Sequence, residues 1–196
     1  MDASLPLHLL LSGMVLAIVS PIPVLADNTW TSLGPDGGGI FSLAVDPTNP
    51  GVLCAGTLGG GVFRSSDAGA SWKPANVGLG PGTVTALAID PQNTSTVYAL
   101  IPGVVSTSTD GAQHWNAVTA APPISGYYLQ ALGVDPQNSG TVYAAACNVF
   151  LRSADGGATW TISSFGSLLS PTCPTVVAAD PLNAKGVYIG SNSARG

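Results

Sequence analysis

Short apolar segments alternate with turns along most of the chain, and the same order of segments recurs. Four apolar segments run into Asp-Pro-x-Asn: FSLAVDPTN (41–49), TALAIDPQN (85–93), QALGVDPQN (130–138) and VVAADPLN (176–183). A second apolar segment follows each of them: VLCAGT (52–57), TVYALI (96–101), TVYAAA (141–146) and GVYIGS (186–191). Because these runs are short, rich in β-branched residues and bounded by turn formers, they predict β-strands and not helices.

The first three units continue into a third strand and a turn that ends in Trp. These turns are SSDAGASW (65–72), STDGAQHW (108–115) and SADGGATW (153–160). The Asp-Pro aspartates Asp46, Asp90, Asp135 and Asp180 follow one another at steps of 44, 45 and 45 residues. A period of about 40–50 residues with four strands per unit is typical of β-propellers. The pattern therefore predicts an all-β propeller of four-stranded antiparallel blades.

The turn residues have structural roles in this prediction. Asp46, Asp90, Asp135 and Asp180 are expected to accept hydrogen bonds from backbone N–H groups of their own turns. In the second kind of turn, Ser and Asp hold the loop, Gly adopts a positive φ and Trp covers the edge of the blade. The residues concerned are Ser65, Asp67, Gly69 and Trp72, then Ser108, Asp110 and Trp115, then Ser153, Asp155, Gly157 and Trp160.

These turns resemble the Asp-box, the repeat of sialidase-type (BNR) β-propellers. The same repeat occurs in sortilin-type receptors, xyloglucanase-like hydrolases and photosystem II assembly factors. The resemblance covers residues 30–191; two boxes match fully, whereas Ala112 and His114 depart from the pattern in the middle one. In these families the boxes lie away from the active site, so the resemblance implies a fold and assigns the boxes no chemistry.

The repeat amounts to about 3.8 units, of which three are complete. We predict blades at 39–75, 83–118 and 127–163, a partial blade at 175–191, and an isolated blade-closing strand at 30–33. The fourth unit lacks its third strand, which would leave strand edges unpaired. We therefore expect the chain to be part of a longer propeller. A complete small ring and a ring completed by oligomerisation are the alternatives.

The N-terminus predicts export. Residues 5–25 are nearly all apolar, and Val24-Leu25-Ala26 is followed by polar residues. This pattern predicts a secretory signal at residues 1–26, a propeller domain at 27–196, and a secreted or periplasmic protein without membrane contact after cleavage. An uncleaved membrane anchor is the alternative, since about 20 apolar residues can span a bilayer. Pro21 and Pro23 favour the signal.

Composition excludes several classes of function. The chain has 5 basic residues against 10 acidic ones, so it offers no basic surface for nucleic acid. All the acidic residues are Asp. Cys54, Cys147 and Cys173 form no CxxC motif, and we expect each to be a small buried hydrophobe. We predict no metal site and no cofactor.

The carboxylates do not predict catalysis. We letter the four strands of a blade A to D in chain order, so the Asp-Pro turn joins A to B, the Asp-box turn joins C to D, and a D–A loop leads to the next blade. A–B and C–D turns share one end of a propeller blade, and this end accounts for all seven turn aspartates. Asp2 leaves with the predicted signal and Asp27 lies at the new terminus, so only Asp36 is left for the opposite face, where propeller ligands generally bind. Glycoside hydrolysis generally needs two carboxyl groups about 5–10 Å apart. A sialidase-like site would also need an arginine cluster and a Tyr activated by Glu. We predict no catalytic residue in this chain.

The face formed by the D–A and B–C loops is the candidate ligand face. It is glycine-rich and nearly uncharged, and Asp36, Tyr127, Tyr128 and Phe165 are its candidate ligand residues. Aromatic rings with hydroxyls suit a sugar or a peptide; packing of both tyrosines within the blades is the alternative. The leading hypothesis is an exported, non-catalytic module that binds protein or glycan. One alternative is the N-terminal part of a sialidase- or xyloglucanase-like glycoside hydrolase with its acids beyond residue 196; another is a propeller like the photosystem II assembly factors.

Overall fold

The computed structural model describes six ranges of the chain. They are residues 34–35, 38–118, 129–147, 149–164, 173–183 and 186–191. All of them belong to one compact unit, Leu33–Gly196. The predicted signal at 1–26 and the predicted closing strand at 30–33 lie outside the described residues. Within the described ranges, no helix has the length and apolar character needed to cross a membrane.

The described residues form three four-stranded sheets and one two-stranded sheet, and every pair of neighbouring strands is antiparallel. Blade 1 contains β1 (Ile40–Val45), β2 (Leu53–Thr57), β3 (Gly61–Ser65) and β4 (Lys73–Pro74). Blade 2 contains β5 (Ala86–Ile89), β6 (Val97–Ile101), β7 (Val104–Ser108) and β8 (Asn116–Val118). Blade 3 contains β9 (Leu129–Val134), β10 (Val142–Ala146), β11 (Val149–Ser153) and β12 (Thr161–Ser164). The fourth sheet pairs β13 (Pro174–Ala179) with β14 (Val187–Ser191).

Strand order within each sheet follows chain order, so each blade is an up-and-down meander. The first strands β1, β5, β9 and β13 contact one another in sequence, and the sheets succeed one another around them. The prediction of an all-β fold built from four-stranded antiparallel blades, three of them complete, is confirmed.

The core lies between successive sheets. Every residue of β6 and β10 is buried, because both faces of these second strands pack against a neighbouring blade. Cys54, Val62, Val97 and Trp115 belong to the cluster between blades 1 and 2. Tyr98 and Leu132 belong to the next cluster, and Tyr143 and Val177 to the third.

Blade 3 lies close to the fourth sheet at Gly133. A Cβ atom added there would lie 2.9 Å from the backbone oxygen of Val177. A side chain at this position would therefore force β13 away from β9. The absence of a side chain is what lets the two inner strands meet.

Candidate functional site

The two ends of the sheets have different chemistry. In each complete blade, one backbone hydrogen bond joins the C–D turn to the A–B turn: Ala68 N to Gly51 O (2.9 Å), Gly111 N to Ser95 O (2.8 Å) and Gly156 N to Gly140 O (2.8 Å). These turns therefore form one end of each blade, which we call the turn end. The opposite end carries the B–C hairpins and the starts of the inner strands, and we call it the loop end.

The Asp-Pro aspartates are engaged within their turns. Oδ1 of Asp46 accepts hydrogen bonds from the N–H groups of Thr48 (2.8 Å) and Asn49 (3.0 Å). Burial acts to raise the pKa of Asp46, but the hydrogen bonds from Thr48 and Asn49 outweigh it and the pKa is lowered. In the other three turns, Oδ1 of the aspartate likewise accepts the N–H of the residue two positions later, at Asp90 (2.9 Å), Asp135 (2.8 Å) and Asp180 (2.8 Å).

These turns also join one blade to the next. Nε2 of Gln92 donates to the backbone oxygen of Gln137 at 2.7 Å, and Nε2 of Gln137 donates to that of Pro181 at 2.8 Å. The hydroxyl of Ser139 donates to Oδ2 of Asp90 at 2.5 Å. The turn end is thus a ladder of polar contacts between neighbouring blades.

Each Asp-box has its own hydrogen-bonded frame. In the first, the hydroxyl of Ser65 donates to Oδ1 of Asp67 (2.8 Å) and accepts the N–H of Gly69 (2.9 Å). Ser71 donates to Asp67 from its N–H (2.8 Å) and its hydroxyl (2.5 Å), and these bonds lower the pKa of Asp67 to about 2. The third box repeats the frame with Ser153, Asp155, Gly157 and Thr159.

The middle box keeps this frame with different residues. Nδ1 of His114 lies 2.6 Å from Oδ2 of Asp110, where the other boxes use a hydroxyl. The pKa of Asp110 is held well below its ordinary value, first by the His114 N–H and then by the His114 ring. Ala112 replaces the Gly and has a φ of 70°, and its N–H still donates to Ser108. His114 therefore helps to hold the turn through Asp110, although its side chain is exposed.

The three box tryptophans differ in their hydrogen bonding. Nε1 of Trp115 donates to the backbone oxygen of Ala75 in blade 1 at 2.8 Å, so this ring links two blades. Nε1 of Trp72 and Nε1 of Trp160 are buried without a hydrogen-bond partner in the part of the chain that the structure describes. Of these three tryptophans, Trp115 is the one that forms a hydrogen bond between blades.

At the loop end the structure has an apolar cavity of about 420 Å³, which we call the loop pocket. Its lining comprises Phe41, Thr85, Pro102, Leu129, Gln130 and Thr175. Strands β1, β9 and β13, the residue before β5, and the β6–β7 hairpin supply these residues. None of them is ionisable; an aromatic ring, two hydroxyls and one amide face the cavity alongside aliphatic surface.

Sequence reasoning did not find the loop pocket, although a signal was present. Phe41, Thr85, Gln130 and Thr175 each stand five residues before an Asp-Pro aspartate. They are therefore the same repeat position in four successive units, and the meeting of the inner strands brings them together. The predicted ligand residues Asp36, Tyr127, Tyr128 and Phe165 lie outside the described residues.

The expectation that all three cysteines are buried hydrophobes is wrong for two of them. Cys147 and Cys173 form a disulfide between the β10–β11 hairpin and the residue before β13. The two cysteines are separated by 26 residues, and they meet because both lie at the loop end of adjacent sheets. Cys54 is free and buried between blades 1 and 2, and burial raises the pKa of its thiol to about 11. It is therefore not a nucleophile at neutral pH.

The described residues contain no pair of free carboxylates. Their seven aspartates are all hydrogen-bonded in turns, at the end opposite to the loop pocket. No group of three potential metal ligands occurs among the described residues. The loop pocket offers apolar surface and neutral hydrogen-bonding groups.

No protein-family model matches the chain. A curated protein from Neosartorya fischeri, a probable oligoxyloglucan-reducing end-specific xyloglucanase, is 36% identical over 87 residues, which is 41% of this chain and 11% of that protein. The crystal structure of an ancestral GH74 enzyme is 25% identical with a TM-score of 0.69, covering 85% of this chain and 24% of that one. YCF48 bound to D1 peptide is 12% identical with a TM-score of 0.55, covering 81% and 63%.

These similarities define the class of protein. The chain has the β-propeller fold and resembles GH74 and YCF48 propellers, as the Asp-box resemblance implies. At 12% identity, the likeness to YCF48 shows the fold alone. The chain spans about a tenth of the xyloglucanase and about a quarter of the GH74 enzyme, so it corresponds in extent to a part of those proteins.

Proposed function

We propose that this chain is an exported glycan-binding propeller segment that holds an uncharged, xyloglucan-like saccharide in the loop pocket without hydrolysing it. The observation that carries the proposal is the lining of that pocket, where Phe41 and three neutral polar side chains surround aliphatic surface. An aromatic face with neutral hydrogen-bonding groups is the usual chemistry for binding a sugar ring.

Two similarities support a glycan over a protein as the ligand. The matches with 25% identity or more include a probable xyloglucanase and a GH74 enzyme. The protein ligand in the YCF48 complex belongs to a propeller that resembles this chain in fold alone. The disulfide Cys147–Cys173 supports export, because such bonds persist in oxidising compartments.

A second candidate is a part of a glycoside hydrolase, and the same two similarities favour it. Its catalytic carboxylates would then come from residues outside the described ranges, because the described aspartates are engaged at the turn end. The two candidates share the pocket and the class of ligand. They differ in whether the purified chain cleaves the saccharide.

Isothermal titration of the purified, oxidised full chain with xyloglucan oligosaccharides tests the proposal. We expect saturable binding and no release of reducing ends. Phe41 is 57% exposed, so Phe41→Ala removes ring surface from the pocket at little cost in folding, and should weaken binding about five- to tenfold. Leu182→Ala is the matched control, since Leu182 is 90% exposed in a turn-end loop.

The outcomes separate the candidates. Absence of binding, or equal binding by Phe41→Ala and the unaltered chain, would contradict the proposed site. Release of reducing ends by the purified chain would support the hydrolase and contradict a purely binding role. Retained binding by Leu182→Ala is required for either conclusion about Phe41.

A further inference from the structure

A second cavity lies at the turn end, between the outer strands of blade 1 and the Asp-box turn of blade 2. Its volume is about 540 Å³, and we call it the cation pocket. Arg64 and Lys73 line it from blade 1, and Gln113 and His114 line it from the Asp-box of blade 2. The loop pocket shares none of these residues. The cation pocket is therefore a separate candidate site.

Two of the five basic residues of the chain meet in this pocket. Arg64 on β3 and Lys73 on β4 are direct cross-strand partners. Directly opposed side chains have Cβ atoms about 5 Å apart, and like charges at this distance are destabilising. The pairing therefore has an electrostatic cost unless an anion lies between the two groups.

The repeat itself does not require this pairing. The corresponding partners are Thr107 and Asn116 in blade 2, and Arg152 and Thr161 in blade 3. Blade 2 thus has no charge at either position, and blade 3 has one. Two facing cations are a property of blade 1 and not of the blade architecture.

No described carboxylate forms an ion pair within 4 Å with Arg64 or Lys73. The ion pair found among the described residues joins Nδ1 of His114 to Oδ2 of Asp110, and it includes neither Arg64 nor Lys73. Asp67 also lines the pocket and keeps its negative charge, because the hydrogen bonds from Ser65 and Ser71 stabilise the ionised carboxylate. Nε of Arg64 is buried and has no hydrogen-bond partner within the described ranges. An unpaired buried donor of this kind is costly.

The wall formed by blade 2 contributes the ring of His114. The ring of His114 is 68% exposed, and Asp110 holds it through Nδ1. That contact leaves Nε2 as the ring nitrogen that is free to meet a ligand. Arg64, Lys73 and His114 thus surround the cavity from two blades.

We propose that the cation pocket binds a tetrahedral dianion, sulfate or phosphate, through Arg64 and Lys73 with His114 on the facing wall. The dianion offsets the charge of the two facing cations. It enters either as the free inorganic ion or as its ester on a sugar, where a phosphate ester can keep two negative charges and a sulfate ester keeps one. The chemistry that the pocket recognises is the same in both cases.

Titration of the full chain with sodium sulfate or sodium phosphate, at ionic strength held constant with sodium chloride, tests this site. We expect a saturable heat of binding and a saturable rise in melting temperature that chloride does not give. Arg64→Gln and Lys73→Thr should each weaken binding at least tenfold, since each removes one of the two facing charges. Lys73→Thr reproduces the Arg–Thr pair that blade 3 already has at Arg152 and Thr161, so this variant is expected to fold. It therefore tests the site even if Arg64→Gln folds poorly.

Arg152→Gln is the matched control, because Arg152 has the same repeat position without a facing cation. It removes the same charge from the whole molecule and should leave binding unchanged. Equal weakening by Arg152→Gln and Lys73→Thr, or no binding beyond the chloride background, would overturn the proposal. Glucose 6-sulfate and glucose 6-phosphate distinguish the sources: an ester that binds at least as tightly as the free ion indicates a modified sugar, and weaker binding indicates the free ion.

Discussion

At the scale of single residues, the Asp-box aspartates couple folding to pH. The side chain and N–H of Thr159, followed by Ser153, lower the pKa of Asp155 from an ordinary 3.8 to about 2. Because the folded-state pKa is the lower one, the stabilisation is complete above pH 4 and is lost as pH falls towards 2. We expect the melting temperature of the native chain to fall steeply in this window, and that of Asp155→Asn to fall less.

The comparison is made by thermal unfolding at pH 2 to 7 in constant salt. Asp155→Asn should melt at a lower temperature than the native chain at pH 7, and the two curves should converge near pH 2. Asp67 and Asp110 remain in the variant, so a reduced slope is expected and not a flat profile. Parallel curves from pH 4 to 2 would show that Asp155 does not carry this dependence.

Only some of the contacts made by single residues could be predicted from the sequence. The Ser-x-Asp spacing was sufficient to expect a hydrogen-bonded turn, because each bond in it is local. Spacing could not show that the ring of His114 takes the place of a hydroxyl, since the substitution depends on side-chain reach. It also could not show that Cys147 meets Cys173, because that contact depends on two loops of adjacent sheets.

At the scale of elements, close approach of strands limits which residues the inner strands tolerate. The Cβ of an alanine at position 133 would lie 2.9 Å from the backbone oxygen of Val177, and β13 would have to move. Gly133→Ala should lower the free energy of unfolding by about 1–3 kcal/mol, the usual cost of overpacking. Urea denaturation monitored by tryptophan fluorescence measures this difference.

Gly39→Ala is the control for that substitution. A Cβ atom at position 39 meets nothing within 4 Å, so this variant tests the change from glycine to alanine without the contact. It should be as stable as the native chain to within about 0.5 kcal/mol. Equal stability of the two variants would show that blade 3 and the fourth sheet are not held as closely as the structure indicates.

The strands were predictable because their signals are local and repeat four times. Short apolar runs separated by Asp-Pro and Asp-box turns define strand order in an up-and-down blade. The loop pocket was not predictable in the same way. Phe41, Thr85, Gln130 and Thr175 have no common chemistry, and only the meeting of four inner strands makes them neighbours.

At the scale of the whole molecule, the environment of a repeat position depends on the next sheet. Tyr98 and Tyr143 occupy one position in their second strands and are buried between blades. Tyr188 occupies the same position in β14, but it is 65% exposed, because no further sheet covers it among the described residues. A repeat pattern therefore predicts blade geometry better than it predicts burial.

The disulfide acts at this scale because it joins blade 3 to the strand that begins the fourth sheet. Closing a loop of 26 residues restricts the unfolded chain, and this is expected to stabilise the native state by about 3 kcal/mol. The double substitution Cys147→Ser, Cys173→Ser should lower the free energy of unfolding by that amount in urea. Dithiothreitol should have the same effect on the native chain and none on the double variant.

Thiol counting checks the pairing independently of stability. The unreduced chain should release one reactive thiol after denaturation, that of Cys54, and none while folded, because burial raises the pKa of Cys54 to about 11. Three reactive thiols in denatured, unreduced protein made in an oxidising compartment would contradict the disulfide. If reduction lowers both stability and glycan binding, the Cys147–Cys173 disulfide also helps to hold the loop pocket in shape. If reduction lowers stability alone, the role of the disulfide is limited to joining the two sheets.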